Sequence, residues 1–336
     1  MRNYYIKKLG FQELGSPKED GSVSRGRYFL ISKKSEDFFP PLSQTELNDT
    51  IILPIIPPNS TQKIYCSYVF HNNKYHGSLA KSPRNEYRLY LNSKIDRKRA
   101  YFKPDDIVVF TKIETEQNIA IYQMLLFREG ETNYETLDNI VTESKLAGGH
   151  ALIKDELSFI ECSTLDIESL ETIIPDEVKK DVQKKQDEIS KGSAEDIEET
   201  KGANLFNSVS FRDFVLLGYH NKCAVTSEAI YYDKLINLEA AHIKPKSHSG
   251  SFLPCNGIAM SRDIHWAFDK GMFTINDDYR ITVHKDIKNT ILSKYDNQKI
   301  NVPKEDFFKP EKNFLKYHKE KVFGLFKHSG VLRAPK

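Results

Sequence analysis

The sequence predicts an α+β protein built from two domains. Short apolar segments separated by turn residues fill the first half of the chain, a pattern typical of β structure with few helices. A polar stretch rich in Glu, Asp and Lys follows, and the last third contains a strand, loop, strand and helix pattern. We therefore expect a β-rich domain at 1–162, an acidic, partly helical linker at 163–203 and a mixed α/β domain at 204–336.

Composition argues against membrane and disulfide-rich classes. Apolar runs such as Ile51 to Pro58 contain prolines and are far too short to span a bilayer, and the N-terminus lacks the continuous apolar centre of a signal peptide. The four cysteines, at 66, 162, 223 and 255, include no C-x-x-C pair. This argues against a zinc ribbon and a disulfide framework. We expect a reduced, cytoplasmic protein with no membrane association.

The distribution of charge is more informative than the net charge of +2. Residues 1–150 carry 21 Lys and Arg against 18 Asp and Glu, whereas residues 151–201 carry 7 against 15. Residues 202–336 carry 21 against 14. Two mildly basic modules are thus separated by an acidic connector, in which Pro175 precedes a polar helix predicted to end near Gly192.

Six segments of the first module have strand character, with turns such as Pro57-Pro58-Asn59 between them. They are Arg27 to Ser32, Thr50 to Ile56, Lys63 to Phe70, Tyr87 to Leu91, Asp106 to Ile113 and Ile119 to Phe127. Many short strands with few helices predict a barrel or a sandwich.

The most basic window of this module runs from Lys81 to Lys103, with eight Lys or Arg against two acidic residues. Lys and Arg neutralise DNA phosphates, Arg also pairs with guanine in the major groove, and Glu accepts from cytosine N4. A solvated charged turn is the alternative. The predicted DNA contacts in this window are Lys81, Arg84, Glu86, Arg88, Lys94, Arg97 and Lys98.

Several segments of the first module resemble the N-terminal domain of EcoRII-type restriction enzymes. They are Phe38-Phe39-Pro40, Glu46-Leu47-Asn48, Arg84-Asn85-Glu86-Tyr87-Arg88 and the stretch from Phe102 to Phe110. The resemblance implies a β-pseudobarrel, related to the DNA-binding domain of a plant transcription-factor family, with two arms that enter the major groove. One arm would carry Arg25 and Arg27, and the other would run from Lys81 to Arg88.

The stretch from Leu238 to Phe273 organises the second module. Leu238 to Ile243 is predicted to form a strand ending in a histidine, Lys244 to Cys255 a loop, and Asn256 to Met260 a returning strand. Ser261 is suited to cap a helix that ends at Gly271. On that helix His265 and Asp269 lie four residues apart and share one face. We expect Trp266 and Phe268 to be core residues.

This stretch resembles the HNH endonucleases, whose site is a ββα-metal unit. The resemblance is carried by Ala240-Ala241-His242-Ile243, by Asn256-Gly257 and by the segment HWAFDKG at 265–271. Just upstream, Tyr219 to Ser227 is similar to the segment that usually precedes this motif. Because several spaced residues agree, the resemblance is specific, and it implies nuclease activity.

The roles of these residues follow from the chemistry of phosphodiester hydrolysis. The reaction needs a base for water, and a histidine is suited to this because its unperturbed pKa is roughly 6.5. It also needs a Lewis acid for the phosphorane charge and the leaving oxygen. We predict His242 as general base, His265 and Asp269 as metal ligands, and Asn256 as the residue that orients the base or the loop.

The sequence departs from the family at one position. Many HNH enzymes have an Asp or His ligand immediately before the base, and here that position is Ala241. Glu239 lies on the same face of the strand as Ala241, so either Glu239 or water is expected to supply the missing ligand. Mixed His and carboxylate ligands favour Mg²⁺ or Mn²⁺, with Zn²⁺ possible.

The sequence therefore predicts a sequence-specific, restriction-type endonuclease that acts on double-stranded DNA. One such site cuts one strand at a time, so a double-strand break needs a homodimer or two encounters with the DNA, and we expect a homodimer. The residues leave three alternatives open. These are a modification-dependent or nicking HNH nuclease, a DNA-binding protein with a degenerate site, and a nonspecific nuclease.

Overall fold

The structure, a computed structural model, divides into two compact units, Met1–Asp181 and Val182–Lys336. It describes residues 3–15, 27–35, 38–45, 48–72, 85–114, 120–146, 148–154, 157–160, 170–190, 206, 208–232 and 235–326. Across these residues, no helix is long and apolar enough to cross a membrane.

The described part of the first unit is dominated by β structure. Its strands are β1 (Tyr4–Lys8), β2 (Tyr28–Ile31), β3 (Thr50–Ile56), β4 (Gln62–His71), β5 (Glu86–Tyr90), β6 (Ile107–Glu114), β7 (Ala120–Phe127), β8 (His150–Ile153) and β9 (Glu171–Ile173). Its helices are α1 (Phe11–Leu14), α2 (Tyr134–Glu143) and the first part of α3 (Asp176–Ser190), within which the boundary between the units falls.

The nine strands form one sheet that curls almost into a barrel. The strand order is β2-β5-β4-β3-β7-β6-β1-β8, with β9 beside β4. The end strand β2 approaches the strands near the other end of this path: the ring of Phe29 in β2 lies 6.1 Å from that of Phe110 in β6, and Ser32 N donates to Tyr5 Oη of β1 at 2.9 Å. The predicted α+β class and barrel-like sheet are confirmed.

Alternation along the strands gives this sheet two apolar faces. One face lines the interior with aromatic side chains, among them Tyr5, Phe39, Phe110 and Tyr122. The other face of β1 and β6 is covered by the apolar side of α2. All six predicted strands are present in the described residues, and several of them, such as β3 and β4, are apolar runs that are buried on both faces.

Part of the segment predicted as a linker is structured. The strand β9 pairs in parallel with β4, and Ser67 Oγ donates to Asp181 Oδ2 at 2.9 Å. Both contacts lie within the first unit. The functional boundaries at 162 and 203 stay predictions.

The second unit contains a ββα arrangement with flanking helices. Its elements are α4 (Ser208–Gly218), β10 (Tyr231–Tyr232), β11 (Leu235–Ile236), β12 (Leu238–His242), β13 (Gly257–Ser261), α5 (Arg262–Asp269), β14 (Phe273–Ile275), β15 (Ile281–Val283) and α6 (Lys312–Lys321). The strands pair as three antiparallel hairpins, β10-β11, β12-β13 and β14-β15.

Two flanking helices hold the ββα arrangement in place. At Gly257 in β13 a Cβ atom would lie 2.3 Å from Val215 Cγ2 of α4, so glycine permits the close approach of this helix to the hairpin. On the other side, His318 of α6 stacks on Phe268 of α5 with ring centroids 3.7 Å apart. The helix that carries the predicted metal ligands is therefore packed against a rigid support.

Candidate active site

The predicted strand, loop, strand and helix are present in the structure. The register of β12 and β13 pairs His242 with Gly257 and Ala241 with Ile258. Ser261 occupies the N-cap position of α5, although its side chain makes no capping hydrogen bond. Gly271 follows the helix with φ of +70°, and a Cβ atom there would lie 2.1 Å from Val322 O. Glycine is thus required where the helix ends.

His242 lies at the end of β12 in a largely apolar environment. Its ring stacks on Phe211 of α4 with centroids 4.2 Å apart and meets Phe252 edge-on at 5.3 Å. Burial lowers the pKa of His242 to about 4, and Asp269 opposes this while His265 and Lys246 add to it. The Nε2 atom is buried and has no hydrogen-bond partner. The imidazole is therefore neutral near pH 7 and has an unused nitrogen.

His265 is held between two carboxylates. Its Nδ1 lies 2.7 Å from Glu239 Oε2, and its Nε2 lies 3.3 Å from Asp269 Oδ2. Burial alone would lower the pKa of His265, but Asp269 and Glu239 together outweigh it and raise that pKa above the ordinary value. The fields of His265 and Asp269 reach His242, so the three predicted catalytic residues act on one another electrostatically.

HNH nucleases generally use a divalent metal ion, and two side chains here fit that role. Ligands of one ion lie about 3 Å from each other when metal–ligand distances are about 2.1 Å, as do His265 Nε2 and Asp269 Oδ2. Within the described ranges, no group of three or more His, Cys, Asp or Glu side chains is arranged for a metal. The assignment of His265 and Asp269 as metal ligands stays a prediction, in which water and phosphate would complete the coordination.

Glu239 lies on the predicted strand and contacts His265. Its carboxylate contacts the ring nitrogen of His265 that points away from Asp269, and its second oxygen lies 3.3 Å from Arg262 Nε. A carboxylate that accepts from the remote nitrogen of a ligating histidine fixes the tautomer and orientation of the ring. The ligand assignment of Glu239 stays a prediction, and this geometry favours a supporting role.

Asn256 orients the loop rather than the base. Its Oδ1 accepts from Lys244 N at 2.8 Å, and its Nδ2 donates to Lys244 O at 3.2 Å and to Ser251 O at 2.9 Å. The side chain is buried. Three hydrogen bonds to backbone atoms close the loop that follows His242 and so fix where β12 ends. Of the two alternatives in the sequence prediction, these contacts support the loop.

The predicted base reader Arg27 lies in the interior of the first unit. Its guanidinium pairs with Asp96 and donates to Leu14 O at 2.8 Å and to Phe102 O at 2.7 Å. Because this group is buried and each of its three nitrogens has a partner inside the protein, the contacts favour a structural role, and base reading by Arg27 stays a prediction. Arg27 ties the start of β2 to the segment that precedes β6.

The remaining predicted DNA contacts fall into three groups. Arg88 is buried: it donates from Nε to Glu86 Oε1 at 2.8 Å and lies over the ring of Tyr28 at 4.1 Å, so its availability to DNA depends on releasing these partners. Three cations are exposed, namely Lys94, Arg97 and Lys98. Arg25, Lys81 and Arg84 lie outside the described residues.

Sequence reasoning missed several residues at the site. Phe211 and Phe252 pack on His242, and Arg262 holds Glu239. Of these, Arg262 could have been found, because it lies three residues before His265 and therefore on a neighbouring part of the helix surface. The prediction that Phe268 is core is confirmed, but the same prediction for Trp266 is wrong, since 55% of this residue is exposed.

The structure places a histidine at the end of the first strand of a hairpin and a second histidine and a carboxylate on the following helix, as the ββα resemblance predicts. Residues 223–276 match a family model described as HNH endonuclease. This stretch of the chain is therefore similar to HNH endonucleases.

Three solved structures resemble parts of the chain. A modification-dependent TagI restriction endonuclease is 20% identical, with 37% of this chain and 41% of that chain covered and a TM-score of 0.30. The N-terminal domain of Helicobacter pylori LlaJI.R1 is 18% identical, with coverages of 46% and 99% and a TM-score of 0.28. The UbaLAI restriction endonuclease B3 domain with cognate DNA is 15% identical, with coverages of 45% and 85% and a TM-score of 0.28. No curated protein matches the sequence.

Proposed function

We propose that this protein is a restriction-type endonuclease that hydrolyses phosphodiester bonds of double-stranded DNA. The observation that carries the proposal is the pairing of His265 Nε2 with Asp269 Oδ2 at 3.3 Å beside the neutral, partly buried His242. These side chains belong to a segment that matches HNH endonucleases.

In the proposed reaction His242 acts as the general base. Its imidazole accepts a proton from water as the water oxygen forms a bond to phosphorus, and the bond from phosphorus to the 3′ oxygen breaks. Because the pKa of His242 is about 4, the imidazole is unprotonated at neutral pH and ready to accept. Phe211 holds the ring in one orientation by stacking.

His265 and Asp269 are the residues that would hold a divalent cation. When bound, such a cation supplies Lewis-acid stabilisation for the phosphoryl charge and the departing oxygen. Two protein ligands leave room for several waters, which is the coordination that Mg²⁺ prefers. We therefore propose Mg²⁺ or Mn²⁺ as the cofactor, ahead of Zn²⁺.

The first unit is the proposed site reader. Lys94, Arg97 and Lys98 are exposed in a window with a net charge of +6, and such cations neutralise phosphates independently of sequence. Double-strand cleavage needs two HNH sites, so the proposed active form is a homodimer.

The proposal is tested by incubating the full chain with assorted plasmids and Mg²⁺ or Mn²⁺ and sequencing the fragment ends. Discrete ends at one sequence support a restriction-type nuclease, and dependence on plasmid methylation would identify a modification-dependent one. A smear would support a nonspecific nuclease. Tight binding without cleavage under any divalent cation would refute nuclease activity and favour a degenerate site.

A further inference from the structure

Trp266 is the one tryptophan of the chain, and it lies on the surface of the catalytic helix. A large aromatic side chain of this kind normally buries 150–250 Å² in a core. Here the buried side of α5 is instead formed by Ile264, Ala267 and Phe268. The exposure of the indole therefore has no explanation in the packing of the helix.

The helical repeat places Trp266 beside the proposed metal ligands. It follows His265 directly, precedes Asp269 by three residues and lies one turn after Arg262. At 100° per residue, Arg262, Trp266 and Asp269 are neighbours on one exposed side of the helix. A phosphodiester group that reaches His265 and Asp269 must therefore bring its neighbouring nucleotides close to the indole.

A second exposed apolar segment is linked through Asn237 to the first residue of this helix. Ile230, Tyr231 and Tyr232 are 75%, 75% and 81% exposed. Backbone hydrogen bonds fix them relative to α5: Asn237 N donates to Ile230 O at 3.0 Å, and Arg262 N donates to Asn237 O at 3.2 Å. Contiguous exposed apolar surface of this kind usually marks a binding site.

Charge alone does not give this side of α5 an affinity for DNA. The exposed ionic side chains of the helix are Arg262, Asp263 and Asp269, and Arg262 is itself paired with Glu239. Attraction of phosphates requires an excess of cations, which is missing from this helix. Apolar contact of a side chain with the groove of a duplex, against sugars and the edges of base steps, does not itself depend on such an excess.

We propose that Trp266 is a DNA-contact residue that packs against the sugars and bases next to the scissile phosphate. The exposed segment at 230–232 continues the same surface along the DNA. This inference rests on the proposed function, because it takes duplex DNA to be the occupant. A second copy of the chain is the competing occupant, and the test below distinguishes the two.

The single tryptophan makes a direct test possible. Full-length His242→Ala protein, in which cleavage is blocked, is titrated with sheared plasmid DNA in Mg²⁺ while quenching of tryptophan emission by acrylamide is measured. We expect DNA to reduce the quenching constant by about twofold or more, because contact with nucleotides removes the indole from solvent. Binding itself is followed separately by the anisotropy of a labelled DNA fragment.

Substitutions distinguish a residue that contacts DNA from one that does not. In the same background, Trp266→Ala is expected to weaken DNA binding about tenfold, and Trp266→Phe to keep most of the affinity, because the ring remains. Ile291→Ala is the matched control: Ile291 is 72% exposed, lies in the same unit outside α5 and should leave affinity unchanged. Circular dichroism checks that each variant is folded.

The outcomes are distinguishable. If DNA binds but neither the quenching constant nor the affinity of Trp266→Ala changes, the inference is wrong while the proposed function stands. Protection from acrylamide that rises with protein concentration in the absence of DNA would assign the surface to a second copy of the chain and overturn the inference. If no DNA binds at low salt, both the inference and the proposed function fail.

Discussion

Replacement of Glu239 tests whether this residue supports His265 or binds the metal directly. In the structure Glu239 Oε2 lies 2.7 Å from His265 Nδ1, and loss of such a partner typically weakens metal affinity by 10–100-fold. The side chain of Glu239 is 40% exposed. Because solvent screens its interaction with His265, we expect Glu239→Ala to weaken metal binding about tenfold. Glu239→Gln keeps an acceptor oxygen, so its metal affinity should fall only about threefold.

The assay is Mn²⁺ binding measured by calorimetry, with cleavage of plasmid DNA at varied Mn²⁺ as the functional counterpart. Asp269→Asn is the control for loss of a direct ligand and should abolish measurable binding. If Glu239→Gln lost as much affinity as Asp269→Asn, Glu239 would be a ligand and the supporting role would be refuted. An unchanged affinity in Glu239→Ala would leave this residue with neither role.

Four further predictions follow from the same structure. His242→Ala should abolish cleavage while DNA affinity stays within a few-fold, as measured by plasmid digestion and anisotropy; retained turnover would remove it as the base. Because the pKa of His242 is about 4 and that of His265 is raised, lowering the pH should first weaken metal binding and only near pH 4 protonate the base. As the pH is lowered, the rate of plasmid cleavage should therefore begin to fall at a higher pH when Mn²⁺ is limiting than when it is saturating. The same pH dependence at both Mn²⁺ concentrations would contradict this. Gly271→Ala should destabilise the protein by about 2 kcal/mol or more in urea unfolding, because φ is +70° and a Cβ atom would meet Val322 O; a change below about 0.5 kcal/mol would refute this account of the turn. Arg27→Ala should cost about 3–5 kcal/mol in the same measurement by leaving its buried carboxylate partner unpaired, whereas loss of DNA affinity with unchanged stability would support it as a DNA contact.

The catalytic segment could be predicted from sequence because its information is local. The two strands, the loop and the helix are contiguous between Leu238 and Gly271, and the helical spacing of His265 and Asp269 places both side chains together without knowledge of the rest of the fold. The local pattern could not predict which atoms of these side chains contact one another. Glu239 was placed correctly on its strand, but only the structure shows which nitrogen of His265 it contacts.

The amino-terminal unit shows the opposite case, since its errors concern contacts between distant residues. The strand β1 was not predicted because Lys7 interrupts its apolar pattern, yet Lys7 is buried in an ion pair with Glu13 at 2.9 Å. Arg27 was assigned to a DNA-contacting arm from the resemblance, and its partner Asp96 is 69 residues away. A buried ion pair cannot be distinguished from two solvated charges when its members are remote in sequence.

The strand β12 explains how one short segment supplies two different chemical roles. Alternation along a strand places Glu239 and His242 on opposite faces. The face of Glu239 meets α5, where a carboxylate is paired with His265, and the face of His242 meets α4, where Phe211 removes the imidazole from water. Burial on one face keeps the His242 imidazole neutral near pH 7, while on the other face Glu239, together with Asp269 of α5, raises the pKa of His265. The predicted base and the predicted metal ligand thus have opposite environments because His242 and Glu239 lie on opposite faces of one strand.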